Sequence, residues 1–154
     1  MIRRPRRLGV ILIGVAVFLA VSFILARWLT LEDAERNDIV TLLSAEARGD
    51  AAAMLAQLYH CDRRCRDQVR TDARTLRRRG KVLILAYQSQ TSYALTSTVG
   101  DTRVAWKAGS ALPVVQCITV SRKGNAVTGL ALHLVAVGPP VVPTTNDCSR
   151  RYDG

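Results

Sequence analysis

The hydrophobic pattern changes character three times along the chain. Leu8 to Ala26 is an uncharged, almost wholly apolar run of 19 residues, and at ~1.5 Å of rise per residue a helix of that length covers ~28 Å, close to the ~30 Å hydrocarbon core of a bilayer. From Leu31 to Glu46 the pattern becomes amphipathic, with Ile39, Leu42 and Leu43 on one face and acids in the opening turn, where they suit the helix dipole. No Gly or Pro interrupts Trp28 to Arg48, so this helix can continue out of the apolar one. Gly49 breaks it and Asp50 caps a short helix, Ala51 to Leu58, that buries Met54, Leu55 and Leu58. Arg48-Gly49-Asp50 spells an adhesion tripeptide, but in this context it is a helix break followed by a cap. A third helix is predicted over Asp62 to Arg79, its narrow apolar face made by Cys65, Val69, Ala73 and Leu76, and Gly80 ends it.

From Lys81 the period shortens to two. Val82 to about Val99 reads as a β-branched and aromatic run, Gly100-Asp101 as a turn, and Thr102 to Lys107 as an alternating strand. Ala108-Gly109-Ser110 turns again. Val114 to Arg122 follows as a strand, Lys123-Gly124-Asn125 as a tight hairpin and Val127 to Val137 as the last strand. Such short connections imply an antiparallel meander. Gly138-Pro139-Pro140 ends it, leaving Val141 to Gly154 as an extended polar tail. The fold class expected is α+β: a transmembrane helix, then helices packed on a strongly curved four-stranded antiparallel sheet. The divisions are residues 1–7, a basic stub; 8–29, the span; 30–140, an outer domain; and 141–154, the tail.

Charge orients the chain. Arg3, Arg4, Arg6 and Arg7 precede the span, whereas Arg27 and Arg36 beyond it are diluted by Glu32, Asp33, Glu35 and Asp38. Basic flanks stay cytoplasmic, so the N-terminus is placed inside and the remainder outside, with Trp28 at the interface. Small residues at Ala20 and Ser22 leave a cleaved signal peptide open; the apolar Phe23, Ile24 and Leu25 after them favour an uncleaved signal anchor. Outside the cytosol, Cys61, Cys65, Cys117 and Cys148 read as disulfides, and of the three pairings Cys61–Cys65 with Cys117–Cys148 is preferred. Zinc held by His60, Cys61 and Cys65, with His133 as a fourth ligand, is the alternative, although the spacing lacks the paired arms of a structural zinc site. No cofactor or metal is expected.

The net charge of +10 resolves by position. Between Asp62 and Arg79 eight Arg face three Asp, a local +5. Arg63, Arg66, Arg70, Arg74 and Arg77 make the candidate anion contact, to an anionic lipid or cell-envelope polymer, beside the plainer reading of a solvated helix face. Nucleic acid is not expected as a partner of an outward-facing domain, and the 5% aromatic content offers few stacking platforms.

The order of elements resembles the nuclear transport factor 2-like (SnoaL-like) cone, in which N-terminal helices close one face of a curved sheet. Glu35 to Leu58, with its helix and then Gly49-Asp50-Ala51-Ala52-Ala53-Met54-Leu55, resembles the opening common in that superfamily, and the likeness spans Glu35 to Pro140. The whole arrangement is similar to many single-span actinobacterial envelope proteins. The resemblance implies a pocket, for which Tyr87, Tyr93, Trp106 and His133 are the candidate lining. His133, with a carboxylate, would then be an acid–base group for an isomerase-, dehydratase- or hydrolase-like reaction. Nucleophile motifs are missing from the sequence: there is no G-x-S-x-G, S-x-x-K, Walker loop or H-E-x-x-H. The leading expectation is therefore a non-catalytic membrane-tethered module that contacts the lipid bilayer and an envelope protein or small ligand.

Overall fold

A single helix, α1 (Arg4–Arg48), carries the chain from the apolar segment into the folded domain in this computed structural model, which describes residues 4–91, 96–125, 129–142 and 148. Gly9–Ala26 of α1 is long and apolar enough to cross a membrane, and none of that window is buried against the rest of the protein. Without Gly or Pro after Gly14, nothing kinks the helix before Arg48. The side chain of Trp28, the expected interfacial anchor, lies outside the described residues.

Gly49 ends α1 with a left-handed φ of 74°, the conformation that favours glycine at a helix C-terminus. Asp50 then accepts from the Ala53 backbone N–H and caps α2 (Ala51–Gln57). Asp62 caps α3 (Arg63–Thr75) in the same way through Cys65 N–H. α3 stops four residues short of the predicted Arg79. The backbone beyond it is drawn onto the end of α1, where Arg78 N–H donates to the Ala47 carbonyl at 2.8 Å. One orphan carbonyl of α1 is thereby satisfied at the expense of another turn of α3.

Strands β1 (Val82–Ser89), β2 (Thr96–Ala108), β3 (Val114–Asn125) and β4 (Gly129–Val137) form one antiparallel sheet in sequence order. Three departures from the sequence reading have local causes. Gly100 and Asp101 do not turn; they sit inside β2, opposite Val120 and Thr119. The glycine is required there by close approach, because a Cβ would stand 2.9 Å from the Thr91 methyl group. The single long run from Val82 to Val99 is instead two strands, ending at Ser89 and resuming at Thr96. Lys123-Gly124-Asn125 continues β3, pairing with Ala131, Leu130 and Gly129, so that hairpin's connection falls at residues 126–128, outside the described set.

Three register shifts break strict alternation, one of them at the start of β2 between Thr96 and Thr98, and the other two redirect core side chains. One between Ile84 and Ala86 turns Tyr87 to the same side as Ile84. The other, between Leu134 and Ala136, lets both Leu134 and Val137 enter the core. That core unites Ile39, Leu42 and Leu43 of α1 with Met54, Val69, Val104, Trp106, Ile118 and Val120, all fully buried. Behind the sheet, Cys117 bonds Cys148 and ties down the tail, while Cys61 bonds Cys65 across the start of α3. On the loop-closure estimate the longer bridge stabilises by about 4 kcal/mol and the shorter by about 2. Both bonds are compatible with an oxidising compartment.

The β2–β3 turn is the most constrained backbone. Gly109 has φ 56° and would place a Cβ 2.5 Å from the Arg79 carbonyl oxygen. Gly109→Ala is expected to destabilise by about 2 kcal/mol or more, since strain and a backbone clash add. Chemical denaturation of the full chain in detergent checks this; a loss under about 0.5 kcal/mol would contradict it.

Candidate functional site

Two polar constellations stand out, one buried and one exposed. The buried one begins with Glu35, on the helical stripe of Ile39, Leu42, Leu43 and Glu46, all five fully buried. Its Oε1 accepts from Tyr87 Oη at 2.6 Å and Thr102 Oγ1 at 2.7 Å; its Oε2 accepts from Arg122 Nη2 at 2.6 Å and Thr91 Oγ1 at 3.1 Å. Burial pushes the Glu35 carboxyl up, but the bonds from Tyr87, Arg122 and Thr102 outweigh it and hold the group below the ordinary glutamate value. Tyr87 is pushed the other way, by burial and by its bond to that carboxylate.

Eleven residues further along α1, Glu46 accepts from Gln116 Nε2 at 2.8 Å, and Gln116 Oε1 in turn accepts from Trp106 Nε1 at 2.6 Å. Glu46 Oε2 has no hydrogen-bond partner. Burial lifts its carboxyl from the ordinary 4.5 to about 8; Gln116 lowers it and the buried Asp72 of α3 raises it further. Each node pins α1 to the sheet. Glu35, with donors on both of its oxygens, has no face left for a substrate.

The pocket lining expected from sequence is not brought together. Tyr87 and Trp106 lie on the core side and are committed to Glu35 and Gln116. Tyr93 lies outside the described residues. His133 pairs with Ser121 behind the sheet and stacks on Tyr59, with ring centroids 4.3 Å apart. Among the described residues no hydrogen bond or ion pair joins it to a carboxylate. With Cys61 and Cys65 bonded to each other, neither offers a thiolate for the zinc alternative, and among the described residues no group of three or more His, Cys, Asp or Glu is placed to hold a metal.

The exposed constellation is α3. Arg63, Arg66, Arg70 and Arg74 share one solvent-facing side at helical spacing, and Arg70 reaches Asp67 at 3.5 Å. Arg77 leaves this row because the helix has already ended; its side chain lies beside Gly49. It joins Arg48, Arg78 and Arg79 around a shallow depression floored by Ala47 and Gly80. A second depression on α3 is lined by Asp62, Arg63, Arg64, Asp67, Gln68 and Thr71. Both are open and charged, suited to a macromolecular surface more than to an enclosed small molecule.

The sequence reading missed Glu35, Glu46, Gln116 and Arg122. A signal for the acids was present: they extend the Ile39-Leu42-Leu43 stripe by one turn at each end. Arg122 likewise continues the Ile118, Val120 phase of β3. Comparison with family models, curated proteins and solved structures found no match.

Proposed function

We propose that this protein is a single-span, membrane-anchored, extracytoplasmic module without catalytic activity, whose α3 arginine surface binds an acidic envelope protein. The observation that carries this reading is the division of polar groups. Three of the groups with tuned titration, Glu35, Glu46 and Tyr87, fasten α1 to the sheet inside the core, whereas Arg63, Arg66 and Arg74 are exposed. The four-arginine flank before the span and the two disulfides support the outward orientation. A helix, Gly49-Asp50 and a second helix ahead of a bulged antiparallel sheet support a nuclear transport factor 2-like cone.

The test is isolation of the full chain, tagged after Gly154, from native membranes in mild detergent. An acidic protein is expected to co-purify, the tag to be cleaved by protease added to intact cells, and Arg66→Gln/Arg70→Gln/Arg74→Gln to weaken capture by roughly tenfold without a change in Tm. A monomer with no partner, or capture indifferent to the triple substitution, would count against this reading.

A further inference from the structure

The height of the domain above the membrane follows from α1. Glu35 lies nine residues beyond Ala26, the last residue of the apolar window, so on an unbroken helix it stands ~13 Å outside the hydrocarbon edge. Glu46, eleven residues further on, stands ~17 Å higher still. Because Glu35 binds Arg122 and Glu46 binds Gln116, β3 descends from Gln116 toward the membrane as it approaches Arg122. The two spacings agree, since six strand residues cover ~20 Å.

Beyond Arg122, β3 continues through Lys123 and Gly124 to Asn125, another ~10 Å downward. The polar layer outside the hydrocarbon is ~5–8 Å thick on each side. The end of β3 therefore reaches the headgroups, and a tilt of the helix toward the side that carries the sheet brings it closer. What it presents there is built of a few side chains. Lys123 and Asn125 are exposed, Ser97 Oγ accepts from Gly124 N–H at 2.9 Å, and Lys123 Nζ sits 5.0 Å from the centroid of the Tyr59 ring. Tyr59 is held in place on both sides, by the stack on His133 and by its N–H bond to the Leu134 carbonyl at 2.7 Å. His60, in the left-handed conformation at φ 57°, packs edge-on against the same ring. Tyr59 itself stands higher, level with Val120 and Ser121, but the flexible stem of exposed Lys123 lets its ammonium swing from that ring toward the headgroups. On α1 at this level, exposed Asp33 and Arg36 offset each other.

We infer that Lys123, with Asn125, is a contact for anionic lipid headgroups, so that the near end of the sheet rests on the bilayer. The contact lies on a different surface from the α3 arginines and needs no protein partner; it rests only on the membrane anchor.

The chain has three lysines, and they serve as rulers: Lys107 pairs with Leu83 at the far end of the sheet, Lys81 directly precedes β1 there, and Lys123 lies at the near end. The full chain is placed in nanodiscs of phosphatidylcholine, or of the same lipid with 30% (about one lipid in three) phosphatidylglycerol. A water-soluble amine-acylating reagent is added, and modification is read at each lysine by mass spectrometry relative to detergent micelles. Lys123 is expected to be acylated about fivefold more slowly in anionic nanodiscs, with Lys81 and Lys107 unchanged within about twofold. Equal rates at all three lysines would overturn the contact. So would equal protection in neutral and anionic discs, which would show proximity without headgroup recognition. Failure of the chain to enter nanodiscs would overturn it by removing the anchor, a failure distinct from the absence of a co-purifying protein.

Discussion

Arg122→Ala is expected to destabilise the folded domain by about 3–5 kcal/mol, the range for removing one partner of a buried ion pair. The cost follows from what remains. Glu35 is fully buried, and without the guanidinium at 2.6 Å its carboxylate is left to uncharged hydroxyl donors such as Tyr87, Thr102 and Thr91. Such a loss consumes a large part of the ~5–15 kcal/mol that holds an ordinary domain together. Glu35→Ala should cost a similar amount by orphaning Arg122, and the double substitution should cost less than the two singles combined, by on the order of 1–3 kcal/mol. Denaturant-dependent proteolysis of the detergent-solubilised chain measures all three. If Arg122→Ala lost under about 1 kcal/mol, or the effects simply added, the node would not fasten α1 to the sheet.

This fastening explains which parts of the fold were readable from the sequence. Helix breaks at Gly49 and caps at Asp50 and Asp62 were legible because they depend on one residue's conformation or one short-range hydrogen bond. The four strands were legible from their period. The β1–β2 and β3–β4 turns were misplaced because glycine has two uses. At Gly100 it admits the Thr91 methyl group in mid-strand, and at Gly124, with φ 113°, it sits inside β3 where Ser97 closes the strand end. Sequence alone does not distinguish a close approach from a reversal. The bulges were illegible for the same reason: their effect, turning Tyr87 toward Glu35, depends on a residue 52 positions away. Arg122 and Glu35 are 87 residues apart, and each looks like an ordinary surface charge until the sheet folds onto α1. Parity set by the strand register puts His133 on the opposite side of the sheet from Trp106.

The second large effect concerns pH and has its origin in Glu46. In the unfolded chain this carboxyl releases its proton near 4.5, whereas in the folded domain burial retains it until about 8. Between those values the folded state holds one proton more than the unfolded state, so stability falls as pH rises. The full shift corresponds to up to about 5 kcal/mol, reached above pH ~8. Glu35 acts in the opposite sense: its lowered value contributes stability that is present above pH ~4.5 and lost on further acidification. The domain should accordingly be most stable near pH 5. Glu46→Gln replaces the carboxyl by a neutral group of the same shape whose oxygen can still accept from Gln116. The variant is expected to match the parent near pH 5, exceed it by several kcal/mol at pH 8.5, and lose the downward slope between. Asp72 stays in place in both proteins, so the difference reports Glu46. Urea midpoints across pH 4.5–9 provide the measurement, and parallel curves for parent and variant would refute the assignment.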